Sequence, residues 1–351
     1  MSCRDVYFHV NLDSRRLEPY QRVAIAALLS VIVLIFVGAI VRATGAGLGC
    51  PDWPFCWGCY VPPTSVEQVD FEKIDVERFK RKVARLGQDP DTVTEDSLRA
   101  MFNPIHVWTE YINRLTSLPV GLFTLAAAFM SVGQWSRGRR LVGICGWLSL
   151  VVVLVNAWLG RNVVLSGLKP GIITTHMGLA IFLLGLLVYM AWRGTDRPWT
   201  LSLQAPARKK LQILIVVLLG LTIFEGLMGS QVREMTDHLA KTHMDEPRSA
   251  WTVQLEQTWM YLVHRSFSWV ILGAAIWFYF LADKALPRGC RWLEKAILGL
   301  IVGQMCLGLV LSQVGILAIA QILHIGLSSL LISSLVLWIF GVFATRDERI
   351  S

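Results

Sequence analysis

Eight apolar runs, each near or above the length that crosses a bilayer, decide what this 351-residue chain can fold into. A helix needs about 20 apolar residues to span the hydrocarbon core. The runs are Val23–Val41, Trp108–Gln134, Leu141–Gly160, Pro170–Trp192, Leu211–Val232, Thr258–Ala282, Ala296–Val314 and Ile316–Ala344. The last two are nearly continuous and far too long for one span. Ser312-Gln313-Val314-Gly315 breaks them, which predicts a hairpin. Composition agrees: 54% of residues are hydrophobic and 17% charged, against about 45–50% and about 25% in a soluble domain.

The net charge of +8 could suggest nucleic acid, but its placement excludes that reading. Arg137, Arg139 and Arg140 lie between spans two and three. Arg193, Arg197, Arg208, Lys209 and Lys210 lie between four and five, and Lys284, Arg288 and Arg291 between six and seven. All fall on the side of Arg4, Arg15 and Arg16, so the positive-inside tendency predicts that both termini are cytoplasmic. On the other side, residues 43–106 hold ten acidic against seven basic residues, and residues 234–257 five against two. Residues 1–22 resemble neither a cleaved signal peptide nor an Arg/Ser-rich presequence. The expectation is a multi-pass protein of a bacterial cytoplasmic membrane, in contact with lipid.

The chain carries an internal repeat. His176-Met177-Gly178-Leu179 in span four matches His324-Ile325-Gly326-Leu327 in span eight. Glu110-Tyr111-Ile112-Asn113-Arg114 in span two matches Tyr261-Leu262-Val263-His264-Arg265 in span six. Both halves cross in the same direction, so the repeat is parallel and unlike the inverted repeats of many transporters. The predicted fold is all-α: two pseudo-symmetric four-helix bundles. The expected divisions are a tail at 1–22, a half at 23–195 with an outer loop at 43–106, a linker at 196–210, a half at 211–344 and a tail at 345–351. Within the loop, Val69, Ile74, Phe79 and Val83 at helical spacing predict one surface helix over Val66–Arg85.

Two facing imidazoles across a bundle can hold a haem iron from both axial sides. His264 and His324 are such a pair, and the glycine two residues after His176 and after His324 leaves room for a macrocycle or a close helix contact. The competing reading is a set of buried histidines bonded across the bundle. Zinc would need a carboxylate or thiolate that the pair lacks. In the first half His176 stands alone, because Asn113 occupies the place of His264. An amide is a poor iron ligand, so this half would keep one open coordination face, as substrate chemistry requires. His106, two turns before Asn113, is an alternative ligand or an interfacial histidine. Glu110 lies one turn from Asn113, where it either serves the open face as a proton-handling group or pairs with Arg114 or Arg161. Glu225 is expected to pair with Arg265, with proton relay as the second reading. Arg42 and Arg161 suit haem propionates or lipid headgroups.

At these residues the chain resembles the haem A synthase family. The carriers are Val41-Arg42-Ala43-Thr44-Gly45-Ala46-Gly47-Leu48, the Cys50-Pro51-Asp52-Trp53-Pro54-Phe55-Cys56 loop, Val61-Pro62-Pro63, Glu110-Tyr111-x-x-Arg114, and His176, His264 and His324. The resemblance implies haem b held by His264 and His324 and the substrate haem O near Glu110 and His176. It implies oxidation of a porphyrin methyl group to formyl by successive hydroxylations, giving haem A, with electrons entering through the haem b side. It suggests a Cys50–Cys56 disulfide, with Cys59 as a third candidate. The histidines' place near the outer ends of their spans puts the haem sites toward the outer face, and Cys3, Cys145, Cys290 and Cys306, on the inner side or in spans, should stay reduced. Haem O synthase and other cytochrome oxidase assembly factors are the candidate partners, beside an electron donor the sequence does not name. Gly303 and Gly308 suit close helix packing within or between protomers, so a homo-oligomer is a further candidate. The family pattern has a fourth histidine where this chain has Asn113. The alternatives are a non-catalytic dihaem b-type electron carrier and a haem-delivery assembly factor.

Overall fold

A computed structural model describes residues 17–85, 89–166, 168, 170–201, 203–243, 246–286 and 292–344. Cys3, Cys290, the basic residues Arg4, Arg15, Arg16, Arg288 and Arg291, and the tail at 345–351 lie outside these residues. Among the described residues, eight helices are long and apolar enough to cross a membrane. They are α1 (Pro19–Ala43), α4 (Pro104–Ser136), α5 (Arg140–Leu165), α6 (Pro170–Arg193), α7 (Ala205–Thr242), α9 (Trp259–Ala285), α10 (Trp292–Leu309) and α11 (Ala318–Phe343). Three short helices lie between them: α2 (Val76–Arg85), α3 (Glu95–Met101) and α8 (Arg248–Glu256). The predicted hairpin is present. After α10 the chain makes one wide π-turn over Val310–Val314, closed by Gly315 N–H donating to Val310 O at 3.1 Å, and α11 starts three residues later.

The helices form two rings of four. In the first, α1 packs on α4, α4 on α5, α5 on α6 and α6 back on α1. In the second, α7, α9, α10 and α11 repeat that order. Each ring has its own apolar core, one around Ala24, Ala27, Val142 and Leu187, the other around Leu218, Ala275, Phe278 and Trp338. Leu122, Phe129, Leu154, Trp158, Trp269 and Trp277 point outward and are more than half exposed, as side chains that face lipid do. The rings meet along α6 and α11, flanked by α1 on α11 and by α6 on α7. The two flanks differ. On the first, Phe36 of α1 lies where a side chain at Gly326 of α11 would have to go, so only glycine admits this approach. On the second, nothing fills the space at Gly178, which with Phe182, Gly185 and Ile332 lines an open apolar groove.

Residues 44–103 form a cap over the start of α4. The single helix predicted over Val66–Arg85 is instead two 3-10 turns, Val66–Gln68 and Phe71–Lys73, followed by α2. The helical spacing is real, but Asp70 bends the chain by accepting from Glu72 N–H. Its carboxyl is held below the usual range by the Lys73 ammonium bonded to it. Val69, Ile74 and Phe79 still point inward together, onto Cys50, Cys56 and Trp57. At the opposite end of the first ring, one carboxylate joins three segments. Glu18 accepts from Arg137 at 2.8 Å, from Arg139 at 3.5 Å and from Asp196 N–H at 3.0 Å. Arg139, nearly buried, also pairs with Asp196 and donates to Gln134 at 2.8 Å.

Candidate functional site

Four helices enter the bundle from the capped end, and each carries one site residue within its first three turns: Asn113 on α4, His176 on α6, His264 on α9 and His324 on α11. Their starts are fixed locally. Asn103 caps α4 by accepting from Ile105 N–H and His106 N–H, with Pro104 as the first helical residue, and Thr258 caps α9 by accepting from Tyr261 N–H. Both are preferred cap chemistry. They fix where the two helices begin, and so the place of Glu110, Asn113 and His264 along them.

Every one of the four residues faces a glycine on a neighbouring helix. A Cβ at Gly160 of α5 would lie 3.4 Å from His176 Cε1, one at Gly308 of α10 would lie 3.8 Å from His324 Cε1, and one at Gly229 of α7 would lie 3.0 Å from His264 Cε1. In the fourth place, a Cβ at Gly38 of α1 would lie 3.9 Å from Asn113 Oδ1. Gly160 precedes His176 by 16 residues and Gly308 precedes His324 by the same 16. Asn156 and Gln304 fall at equivalent places one turn earlier. These seats escaped the sequence reading, which looked at the glycines beside each histidine rather than on the helix opposite. The constant interval was the signal available. Of the adjacent glycines, Gly326 serves a helix contact and Gly178 the groove.

The ring nitrogens are held differently. His176 Nδ1 lies 3.1 Å from the Asn156 carbonyl oxygen. An acceptor there keeps the proton on Nδ1 and leaves Nε2 as a free lone pair, the state of a metal-binding imidazole. His264 Nδ1 lies 3.1 Å from Glu225 Oε1 on α7. The expected Glu225–Arg265 pair is thus replaced by a Glu225–His264 contact, because α7 turns its acid toward the ring one position earlier on α9. His324 lies within electrostatic range of His264, and its Nδ1 approaches the Gln304 carbonyl without an aligned bond.

Glu110 is 4% exposed. Its carboxylate meets Arg114 Nε at 3.4 Å, so the pairing weighed from sequence is present. Arg114 does more than neutralise it. Nη1 donates to Phe55 O at 2.8 Å, and Nη2 donates to Cys50 O at 2.7 Å and to Asp52 O at 3.2 Å. One guanidinium therefore docks the cysteine loop onto α4 beside Glu110. The loop is closed by a Cys50–Cys56 disulfide, which leaves Cys59 as a free thiol. Asp52 accepts from Trp57 N–H and Gly58 N–H, both at 2.8 Å, which supports the left-handed turn at these two residues. Gly49 lies against the His106 backbone, an approach closed to any side chain. His106 itself is in the first turn of α4, about 10 Å along the axis from Asn113, too far to share an iron with it.

Arg42 faces Asp237 at 3.8 Å, and Asp237 also binds Arg233 at 2.8 Å, which ties the end of α1 to α7. Arg161 lies over the Trp53 ring at 5.4 Å. Both expected propionate partners are therefore at the capped end and already in contact with protein groups.

The donor set fits haem iron. Each imidazole lies against a glycine of the next helix, tightly at Gly229 and at ordinary van der Waals distance at Gly160 and Gly308. Among the described residues no three His, Cys, Asp or Glu gather as a bare metal ion would need. Buried polar atoms at Gln304 Nε2, Glu225 Oε2 and Asn156 Oδ1 have no hydrogen-bond partner among the described residues, as the wall of a ligand site would leave them.

Comparison with known proteins agrees with this architecture. The chain is 28% identical over 307 residues to the haem A synthase of Sphingopyxis alaskensis, covering 81% of each chain. It is 28% identical over 337 residues to that of Rhizorhabdus wittichii, covering 89% of this chain and 91% of the relative. It is 26% identical over 303 residues to that of Caulobacter vibrioides, covering 79% and 82%. The family model for cytochrome oxidase assembly proteins matches residues 21–336, from the first helix to the last, and the chain belongs to that family, COX15-CtaA.

Proposed function

We propose that this protein is a haem A synthase, an oxidoreductase that converts a methyl group of haem O to the formyl group of haem A. The observation that carries the reading is the broken symmetry of the four glycine-seated positions. Three are imidazoles and the fourth is Asn113, with the buried Glu110 one turn away. The half at 211–344 would hold a haem b between His264 and His324, and the half at 23–195 would receive haem O on His176. A bound haem b supplies one-electron transfer. Methyl to formyl is a four-electron oxidation: with dioxygen as the oxidant, each of two hydroxylations puts one oxygen atom into a C–H bond while the other atom leaves as water with two protons and two electrons from the donor, and the hydrated aldehyde then loses water.

The roles of the chain's own residues follow. His176 presents Nε2 to the substrate iron because the Asn156 carbonyl holds Nδ1. Asn113 leaves the opposite face without a strong ligand. Glu110 holds or moves a proton at the substrate's edge, and Arg114 fixes its position against the disulfide loop. Arg42 and Arg161 are near enough to the capped end to meet propionates. The orientation that places this end on the outer side, with both termini cytoplasmic, rests on the charge pattern of the loops.

The test is expression with a source of haem O, followed by extraction and mass analysis of the haems. Haem A is expected from the wild type and not from Glu110→Ala. Formyl haem at the native rate from Glu110→Ala would remove Glu110 from the chemistry. Recovery of unmodified haem alone from the wild type under aerobic turnover would favour a delivery factor.

A further inference from the structure

Glu225 is an acid inside a span, on α7. An unpaired carboxylate inside a span is costly, and side chains of this kind usually mark function. Its carboxylate is 14% exposed, and Oε1 stands 3.1 Å from His264 Nδ1. Four residues later on the same face, Gly229 seats the same ring. One stretch of α7 thus both makes room for His264 and places a carboxylate group behind it.

The first half provides an internal control. Gly38 faces Asn113 as Gly229 faces His264, and the residue four before Gly38 is Leu34. Between these two equivalent pairs the acid accompanies His264 and is absent beside Asn113, while the rings of His176 and His324 have Asn156 and Gln304 at the corresponding place. His176, the ring of the first half, has a neutral backbone carbonyl at Nδ1.

We propose that Glu225 is a positioning residue for His264 that lowers the reduction potential of the haem held by His264 and His324, so that this haem is the stronger electron donor of the two halves. The inference rests on the ligand assignment made above. A carboxylate at Nδ1 orients Nε2 toward the iron and raises the basicity of the imidazole. A more basic ligand, and the negative charge itself in a low-dielectric site, both favour ferric over ferrous iron. The contact is close but short of linear, so it is chiefly electrostatic. The charge sets the direction of the effect.

The experiment is a redox titration of the full-length purified protein, followed by the low-spin haem absorbance. Glu225→Gln keeps the shape and removes the charge. Its equilibrium is expected to move at least tenfold toward the reduced form, an upward shift of about 59 mV for one electron. Glu225→Asp, which keeps the charge one methylene further away, is expected to move it less. An unchanged potential in Glu225→Gln with an intact six-coordinate spectrum overturns the proposal and leaves the ligand assignment standing. If Glu225→Gln binds no haem, the Asp variant decides: a potential equal to wild type at the longer distance also counts against it. His264→Ala tests the assignment itself, since retention of the low-spin six-coordinate haem there would remove His264 as a ligand whatever Glu225 does.

Discussion

The two rings of helices share a frame and differ in where they keep their acid. In the first ring Glu110 stands on the helix that carries the site amide, and a guanidinium locks it to an extramembrane loop. In the second, Tyr261 takes the place of Glu110, and the acid is Glu225 on the opposing helix, behind the imidazole. An acid beside the open side of a site can handle protons. An acid behind a ligand can only tune it. On the proposed assignment, moving one carboxylate between helices is what would separate a reacting half from an electron-holding half.

Several substitutions can break or sharpen that contrast. Glu110→Gln is expected to lower haem A formation by about 100-fold or more with little change in thermal stability, because Arg114 keeps its three carbonyl partners. Arg114→Ala should lose activity and also about 3 kcal/mol of stability, since it strands a buried carboxylate and frees the cysteine loop. Thermal unfolding of the purified protein separates the two, and equal melting of both variants would sink the docking role. Gly229→Ala brings a methyl to 3.0 Å of His264 and should distort the low-spin spectrum, whereas Gly308→Ala, with 3.8 Å available, should leave it nearly unchanged. Equal spectra for these two would show that the glycine seats do not shape the site. Asn113→His should turn the substrate haem toward a six-coordinate spectrum, and no change would mean that Asn113 does not face the iron.

The spans, the hairpin at Ser312–Gly315 and the parallel repeat were legible because apolar length and repeated residues are properties of the chain itself. The His/Asn pattern was legible for the same reason. The seats were not, because Gly38, Gly160, Gly229 and Gly308 belong to helices whose facing is set only by packing. Glu225 shows the same gap. His264 and Arg265 are neighbours in sequence but about 100° apart around α9, and sequence favours the charged partner where geometry selects the ring. The surface helix over Val66–Arg85 failed on local chemistry, since Asp70 prefers to bond its own backbone and interrupts the run.

The contact of Phe36 with Gly326 joins a helix near the beginning of the chain to the last one. During synthesis the first helix enters the bilayer long before its partner exists. Its neighbours α4 and α6 arrive next, and the side that bears Phe36 must wait in lipid until some 280 further residues have been made. Domains made first fold first, so the first ring can close early. Its seam with the second closes only when α11 is threaded in. A chain cut short before α11 would keep a finished first ring and leave Phe36 against lipid, as Phe129 and Trp158 already are, so its loss would fall on the seam between the rings and not on the first ring itself.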